Sequence, residues 1–205
     1  MRNDIQINWQ TPRVKAGWVG AIEKFMGPGK TKSESMIEVV ALILISGLIF
    51  FRYKQVVIDS LLAKWQLAIL VLLLLDLVGG VITNSTNAAK RSYHESPSSK
   101  GRFIFIFCHT IHLLVISLLF LNFDWYFLAF NSAVLFLGAF AIERVQIQTK
   151  RPLAMLLFMA VVGVHSFIFQ LPTYLELFPA LFYLKLFVCF LVTEVPAYGN
   201  QSHHG

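Results

Sequence analysis

Six long apolar stretches constrain the fold of this chain more than any other feature. They are continuous rather than alternating, which is typical of membrane-spanning helices and not of barrel strands. Each is close to the roughly 20 residues that an α-helix needs to cross a ~30 Å hydrocarbon core. Only 14% of the chain is charged, against about 25% in soluble domains. The predicted spans are approximately 36–52, 65–83, 103–121, 125–143, 153–170 and 177–194.

The sequence therefore predicts an all-α integral membrane protein, a bundle of six transmembrane helices within residues 36–194. An N-terminal segment, 1–35, precedes the bundle, and a short polar tail, 195–205, follows it. The lipid bilayer is the first expected partner, and association with further copies or with another membrane protein stays open.

Lys and Arg residues are unevenly distributed between the loops. The N-terminal segment carries six, the loop after the second span four, and the loop after the fourth span three; the loops of the opposite side carry three in all. The positive-inside rule then places the N terminus in the cytoplasm, and an even number of spans places the C terminus there too. We predict a bacterial cytoplasmic membrane. The net charge of +6 is assigned to topology and anionic lipid, not to nucleic acid.

The N-terminal segment contains an amphipathic pattern. Thr11-Pro12 is a typical helix start, and Gly27-Pro28-Gly29 ends the pattern. The apolar residues between them share one helix face, which predicts a helix lying on the inner membrane surface; docking of a partner is the alternative. Thr31 and Glu34 then have capping-box spacing for the first span. The apolar face consists of Val14, Trp18, Ala21, Ile22 and Phe25.

A polar stripe runs along the second span and beyond it. Its members recur every three or four residues, so they share one helix face. We predict one long second helix, from about residue 65 to about residue 94, that extends into the cytoplasm. Its small and polar face is expected towards the bundle or a wet cavity. The stripe consists of Asp76, Gly80, Thr83, Asn87, Lys90 and His94, widened by Gly79 and Asn84.

The third span carries His109 and His112. At ~1.5 Å of rise per residue, His112 and Asp76 both lie roughly 14 Å from the inner boundary of the core. A contact between them is therefore possible, and they are the candidate catalytic acid/base pair. A lipid-facing aspartate would cost on the order of 3 kcal/mol, so Asp76 needs a partner. The same arithmetic puts His165 and Lys185 at one depth, roughly 18 Å, as a second pair.

A metal site is a further possibility. His94, His109 and His112, together with Asp76, offer the ligands that Zn or Fe prefers, although the chain has no His-Glu-x-x-His motif. Haem held by His112 and His165 is another option, because their depths differ by only ~5 Å. A hydrogen-bonded core with a purely structural role also stays open.

Three functions are compatible with these patterns. The first is a small transporter or solute-binding protein with a polar cavity in its cytoplasmic half. The second is a membrane enzyme acting on a lipid or isoprenoid, and the third is a structural or regulatory partner protein. No motif assigns a family. The residues predicted to line the cavity are Asp76, Asn84, Asn87, His109 and His112. The predicted mouth of the cavity is basic and consists of Lys90, Arg91 and His94. A basic mouth suits a small anionic solute or a lipid headgroup. The predicted substrate-binding residues are Asn84, Asn87, Lys90 and Arg91.

Overall fold

A computed structural model describes residues 5–59 and 62–199 of the chain. Within these residues, six helical segments are long and apolar enough to cross a membrane, which is the number predicted. Most of the predicted tail, residues 200–205, lies outside the described part. The six segments are Lys32–Val56, Lys64–Asn84, Lys100–Phe120, Trp125–Arg144, Ile147–Ile168 and Thr173–Leu191.

Two of these spans are not continuous α-helices. The third is divided at His109 into two helices, and the sixth combines a 3₁₀ turn (Thr173–Leu175), an α-helix and a π-helix (Leu184–Leu191). π-Helices are rare and occur mostly as single-turn bulges within α-helices, which frequently lie at functional sites. The α-helices are α1 (Trp18–Met26), α2 (Lys32–Ile58), α3 (Lys64–Asn84), α4 (Asn87–His94), α5 (Lys100–Cys108), α6 (Thr110–Phe120), α7 (Trp125–Arg144), α8 (Ile147–Ile168) and α9 (Phe178–Tyr183).

Side-chain caps define the starts of two spans. The predicted capping box before α2 is present: Glu34 accepts from the Thr31 N–H at 2.8 Å, and Thr31 Oγ1 accepts from the Glu34 N–H at 3.1 Å. Asp124 caps α7 by accepting from the Phe127 N–H at 2.9 Å. Each bond satisfies a backbone donor that the first helical turn leaves free.

The predicted long second helix is wrong, because α3 ends at Asn84 and α4 is a separate helix. The Ser85 hydroxyl bonds back to the preceding turn, and the Thr86 hydroxyl donates to the Thr83 carbonyl. Thr86 has an extended backbone, and its Oγ1 accepts from the Ala89 N–H, so it starts a new helix. Ser and Thr side chains compete with the helix ladder in this way. Most of α4 is buried, so it folds against the bundle instead of projecting from it.

The N-terminal helix is shorter than the predicted surface helix. It begins at Trp18 rather than near Thr11, because Gly17 has a φ of 84°, which a right-handed helix cannot contain. Trp18 is 86% exposed, and Val19 and Ile22 are exposed as well. The side chain of Phe25 lies outside the described part. At the other end, a Cβ on Gly27 would lie 2.7 Å from the backbone nitrogen of Ala89, so the glycine lets α1 approach α4 closely.

The sixth span is the central helix of the bundle. About 61% of the residues in its 18-residue apolar stretch are buried. The corresponding share in the first span is 6%, so the first span lies at the periphery. The ring of Phe187 packs directly on Gly138 of α7, where a Cβ would lie 2.4 Å from the ring. A small residue there allows the two spans to pack closely. The largest buried side chains of this core include Phe127, Phe182, Tyr183, Phe187 and Phe190.

Ion pairs and a short β-ladder close one end of the bundle, which we call the terminal face because it carries α4 and both ends of the described chain. Strand β1 (Ile5–Ile7) pairs antiparallel with β2 (Ala197–Gly199). Glu143, at the end of α7, accepts from Arg102 Nε at 2.8 Å and from its Nη2 at 2.9 Å, and Lys150 Nζ lies 3.6 Å away. These contacts link the third, fourth and fifth spans.

Candidate functional site

Asp76 is the centre of a polar group inside the bundle. Its Oδ2 accepts a hydrogen bond from Lys185 Nζ at 2.6 Å and another from His112 Nε2 at 2.8 Å. The second, third and sixth spans thus supply one side chain each. The Lys185 side chain is 3% exposed, whereas that of Asp76 is 39% exposed. The predicted contact between Asp76 and His112 is therefore present; their role as a catalytic pair stays a prediction.

Lys185 is the member of this group that the sequence arithmetic missed. It was paired with His165, but the structure pairs it with Asp76. The lysine stem lies against Gly80, where a Cβ would be 2.3 Å from Lys185 Cε. A usable signal was present: Asp76 and Lys185 both lie deep in their spans, and opposite charges in an apolar medium pair with each other.

His109 lies beside the Asp76 group, at the junction of α5 and α6. Its Nδ1 donates to the Phe105 carbonyl at 2.7 Å, so its Nε2 carries the free lone pair. Its ring is parallel to that of His112, with 5.0 Å between centroids and 6° between planes. The potential ligand atoms of Asp76, His109 and His112 all lie within 4.8 Å of one another.

A cavity of about 250 Å³ lies beside Asp76, between the first, second and sixth spans. Asn84 lines it, although this residue is only 4% exposed. Its Nδ2 is buried and has no hydrogen-bond partner among the described residues. Buried amides are nearly always bonded, so an orphaned donor calls for an explanation. The lining residues with polar side-chain groups are Glu38, Asp76, Thr83, Asn84, Tyr93 and Lys185.

His165 belongs to a different polar cluster. Its Nε2 donates to Asn131 Oδ1 at 2.7 Å, and the Tyr183 hydroxyl donates to the same oxygen at 2.8 Å. The Asn131 amide donates in turn to the Phe127 carbonyl. The structure thus pairs His165 neither with Lys185 nor with His112, because each of these side chains has Asp76 as its partner. The haem arrangement gains no support from these contacts.

Two residues of the predicted basic mouth, Lys90 and His94, bond to the end of the sixth span. Lys90 Nζ donates to the carbonyls of Cys189 and Val192, at 2.6 and 2.7 Å. His94 Nε2 donates to the Phe190 carbonyl at 2.9 Å, and its Nδ1 accepts from Thr193 Oγ1 at 3.1 Å. These bonds satisfy carbonyls that a helix end leaves free. His94 therefore lies apart from His109 and His112, and burial lowers the pKa of Lys90.

The two remaining predicted substrate-binding residues also lie at the terminal face. Arg91 Nη2 donates to the Pro28 carbonyl at 2.6 Å, which ties α4 to the segment between α1 and α2. Asn87 is the first residue of α4 and is partly buried. Of the four predicted substrate-binding residues, Asn84 is the one that lines the cavity beside Asp76.

The burial of His94 makes stability depend on pH. Burial lowers its pKa from 6.5 to about 4, so between these values the unfolded chain binds a proton that the folded chain does not. The free energy of unfolding should therefore fall as the pH decreases from 6.5 to about 4, by at most about 1.4 kcal/mol per pH unit. Denaturant titrations at several pH values check this. His94→Gln should show a shallower pH slope, and an unchanged slope would contradict the assignment.

Comparisons with known proteins add no assignment to this geometry. No protein-family model, curated protein or solved structure matches the chain.

Proposed function

We propose that the chain is a membrane-embedded solute-binding protein whose activity is the transport of a small polar solute. The orphaned amide of Asn84 carries this proposal. A buried donor without a partner costs about 1–3 kcal/mol. An oxygen atom of a solute in the adjoining cavity would satisfy that donor and recover the cost.

The charges around the cavity favour a solute without net charge. Asp76 is paired with Lys185, and Glu38 accepts from Lys30 Nζ at 2.5 Å. The basic residues once assigned to an anion-binding mouth bond to main-chain carbonyls. Among the residues that the structure describes, no unpaired positive charge lines the cavity to attract an anion. We propose a neutral or zwitterionic solute in place of the anionic solute that the sequence suggested.

Hydrogen-bonding groups narrow the class of solute further. Both bonds to Asp76 end on Oδ2, so among the described residues Oδ1 stays available to a solute N–H or O–H. Asn84 Nδ2 is available to an oxygen. The volume of about 250 Å³ is just below the ~300–1,000 Å³ of drug-sized sites. A free amino acid, with one ammonium and one carboxylate, fits these requirements.

The positive-inside rule orients the proposed site. It places the terminal face, with α4 and the basic segments, in the cytoplasm. The exposed apolar residues of α1, Trp18 and Ile22 among them, would then lie in the inner leaflet, as in interfacial helices. The cavity would open towards the cytoplasm.

Ligand-induced stabilisation tests the proposal. The purified full-length chain is heated in detergent with each of the twenty standard amino acids, with sugars, and with inorganic phosphate and short carboxylates. A solute at about 100 times its dissociation constant should stabilise the protein by about 2.7 kcal/mol. We expect the stabilising compounds to be amino acids. Uptake of the stabilising compound into proteoliposomes then tests transport.

Matched asparagine variants locate the effect. Asn84→Ala should abolish the stabilisation, whereas Asn8→Ala, at an exposed position, should preserve it. Stabilisation by phosphate or carboxylates alone would refute the charge argument. Absence of stabilisation by every compound at about 10 mM would refute the solute-binding proposal, because that concentration is above the typical range of substrate constants, about 1 μM to 1 mM.

A further inference from the structure

We propose that Asp76, His109 and His112 form a binding site for a divalent transition-metal ion of the Zn²⁺ class, in competition with the ammonium group of Lys185. The proposal does not depend on the solute site. It starts from the approach of three ligand atoms, two imidazole nitrogens and one carboxylate oxygen, within 4.8 Å of one another. Such a ligand set selects Zn²⁺ or Fe²⁺ over Mg²⁺ and Ca²⁺.

The hydrogen bonds of His109 prepare it for this role. Its Nδ1 donates to the carbonyl of Phe105 at 2.7 Å. Metal-binding histidines almost always donate the proton of their second nitrogen to a carbonyl or carboxylate in this way, because the bond fixes the tautomer and the ring orientation. The lone pair of Nε2 is thereby left for an ion.

His112 supplies the second imidazole. Its Nε2 lies 2.8 Å from Asp76 Oδ2, with one proton between the two atoms. Two ligands of a tetrahedral zinc ion lie roughly 3.3 Å apart, so an ion can take the place of that proton after a small separation. The rings of His109 and His112 are now parallel, and a shared ion requires one of them to turn. His112 can turn because its Nδ1 has no partner in the described part of the chain.

Lys185 is the cation that occupies the site at present. Its Nζ lies 2.6 Å from the carboxylate oxygen that would bind the metal. Ion and ammonium repel each other, so they cannot both bind this oxygen. Removing the lysine charge should therefore strengthen metal binding. Three protein ligands would leave one coordination position open, as in catalytic zinc sites, and one of the three, Asp76, also lines the cavity.

Metal titration of the full-length chain tests the proposal. The background is His203→Ala/His204→Ala, which removes the two imidazoles of the tail. Chelator-treated protein is titrated with Zn²⁺, with Mg²⁺ as the comparison ion, and Co²⁺ reports the coordination geometry by its visible absorption. We expect one Zn²⁺ per chain, no saturable Mg²⁺ binding, and a tetrahedral Co²⁺ spectrum.

Four variants make the outcome decisive. His109→Ala and His112→Ala should each weaken Zn²⁺ binding at least about tenfold, and Lys185→Met should strengthen it by roughly tenfold or more. His94→Gln, which removes an imidazole bonded elsewhere, should bind as the background does. Equal binding by the background and both histidine variants, or unchanged binding by Lys185→Met, would overturn the proposal.

If a histidine variant does not fold, the Co²⁺ spectrum of the background decides. Asn84→Ala should retain the metal, so a failure here is separate from a failure of solute binding.

Discussion

Lys185→Met is expected to lower the free energy of unfolding by about 2–3 kcal/mol. The substitution removes the ammonium group that lies 2.6 Å from Asp76 Oδ2 and leaves the carboxylate with His112 alone. Breaking a fully buried ion pair costs about 3–5 kcal/mol because the remaining charge is uncompensated. We expect less, because the Asp76 side chain is 39% exposed and lines the cavity, where water would screen part of the charge.

The comparison substitution is Lys64→Met, at an exposed lysine at the start of α3. It should change stability by less than about 0.5 kcal/mol. The double variant Asp76→Asn/Lys185→Met should recover most of the loss, because it leaves no unpaired charge. Denaturant unfolding in mixed micelles measures all three. Equal effects of Lys185→Met and Lys64→Met would show that the pair contributes nothing.

Arg102→Met should be more damaging, with a loss of about 3–4 kcal/mol. The guanidinium and Glu143 form a two-bond pair in which both side chains are only 7% exposed. Arg102 Nη1 also donates to the Tyr93 and Ser96 carbonyls, each at 3.3 Å. Lys150, at 3.6 Å, is too distant to replace two short bonds. The variant therefore loses a charge partner and the link between the third span and the segment that precedes it.

Arg144→Met provides the matched test for Arg102→Met. Arg144 is the neighbour of Glu143 in sequence but is exposed, over the ring of Phe140. Its loss should cost about 0.5–1 kcal/mol, typical of an exposed cation–π contact. Adding Glu143→Gln to Arg102→Met should restore part of the stability. A smaller loss for Arg102→Met than for Arg144→Met would contradict the assignment of a buried pair.

The sequence was informative wherever a single physical effect decided the outcome. Apolar length alone predicts six spans, and the described residues contain six helical segments that are long and apolar enough to cross a membrane. Equal depth alone predicted that Asp76 and His112 could meet, and they do, at 2.8 Å. The capping box of Thr31 and Glu34 was also confirmed, because its partners are three residues apart and need no knowledge of the tertiary fold.

One wrong prediction arose where side-chain hydrogen bonds interrupt a helix that the residue spacing predicts to be continuous. The stripe from Asp76 to His94 has helical spacing, yet the hydroxyls of Ser85 and Thr86 divide it into two helices. The pairing of Lys185 with His165 rests on equal depth alone, which does not show the side of the helix on which a side chain lies. In the structure Lys185 lies towards the second span and bonds to Asp76.

The partners of Lys90 could not have been predicted by any pattern. Its side chain bonds to carbonyls at the end of the sixth span, and a carbonyl group is the same at every residue. The sequence therefore shows that a basic residue is present but not that its side chain bonds to the end of a distant helix. The same holds for Arg91 and the Pro28 carbonyl.

The ladder between β1 and β2 brings the two ends of the described chain together. Ile5 pairs with Gly199 and Ile7 with Ala197, so the segment that precedes the first span is hydrogen-bonded to the segment that follows the sixth. Force applied between the two ends of the described chain would have to separate these strands before it reaches α1 or the sixth span.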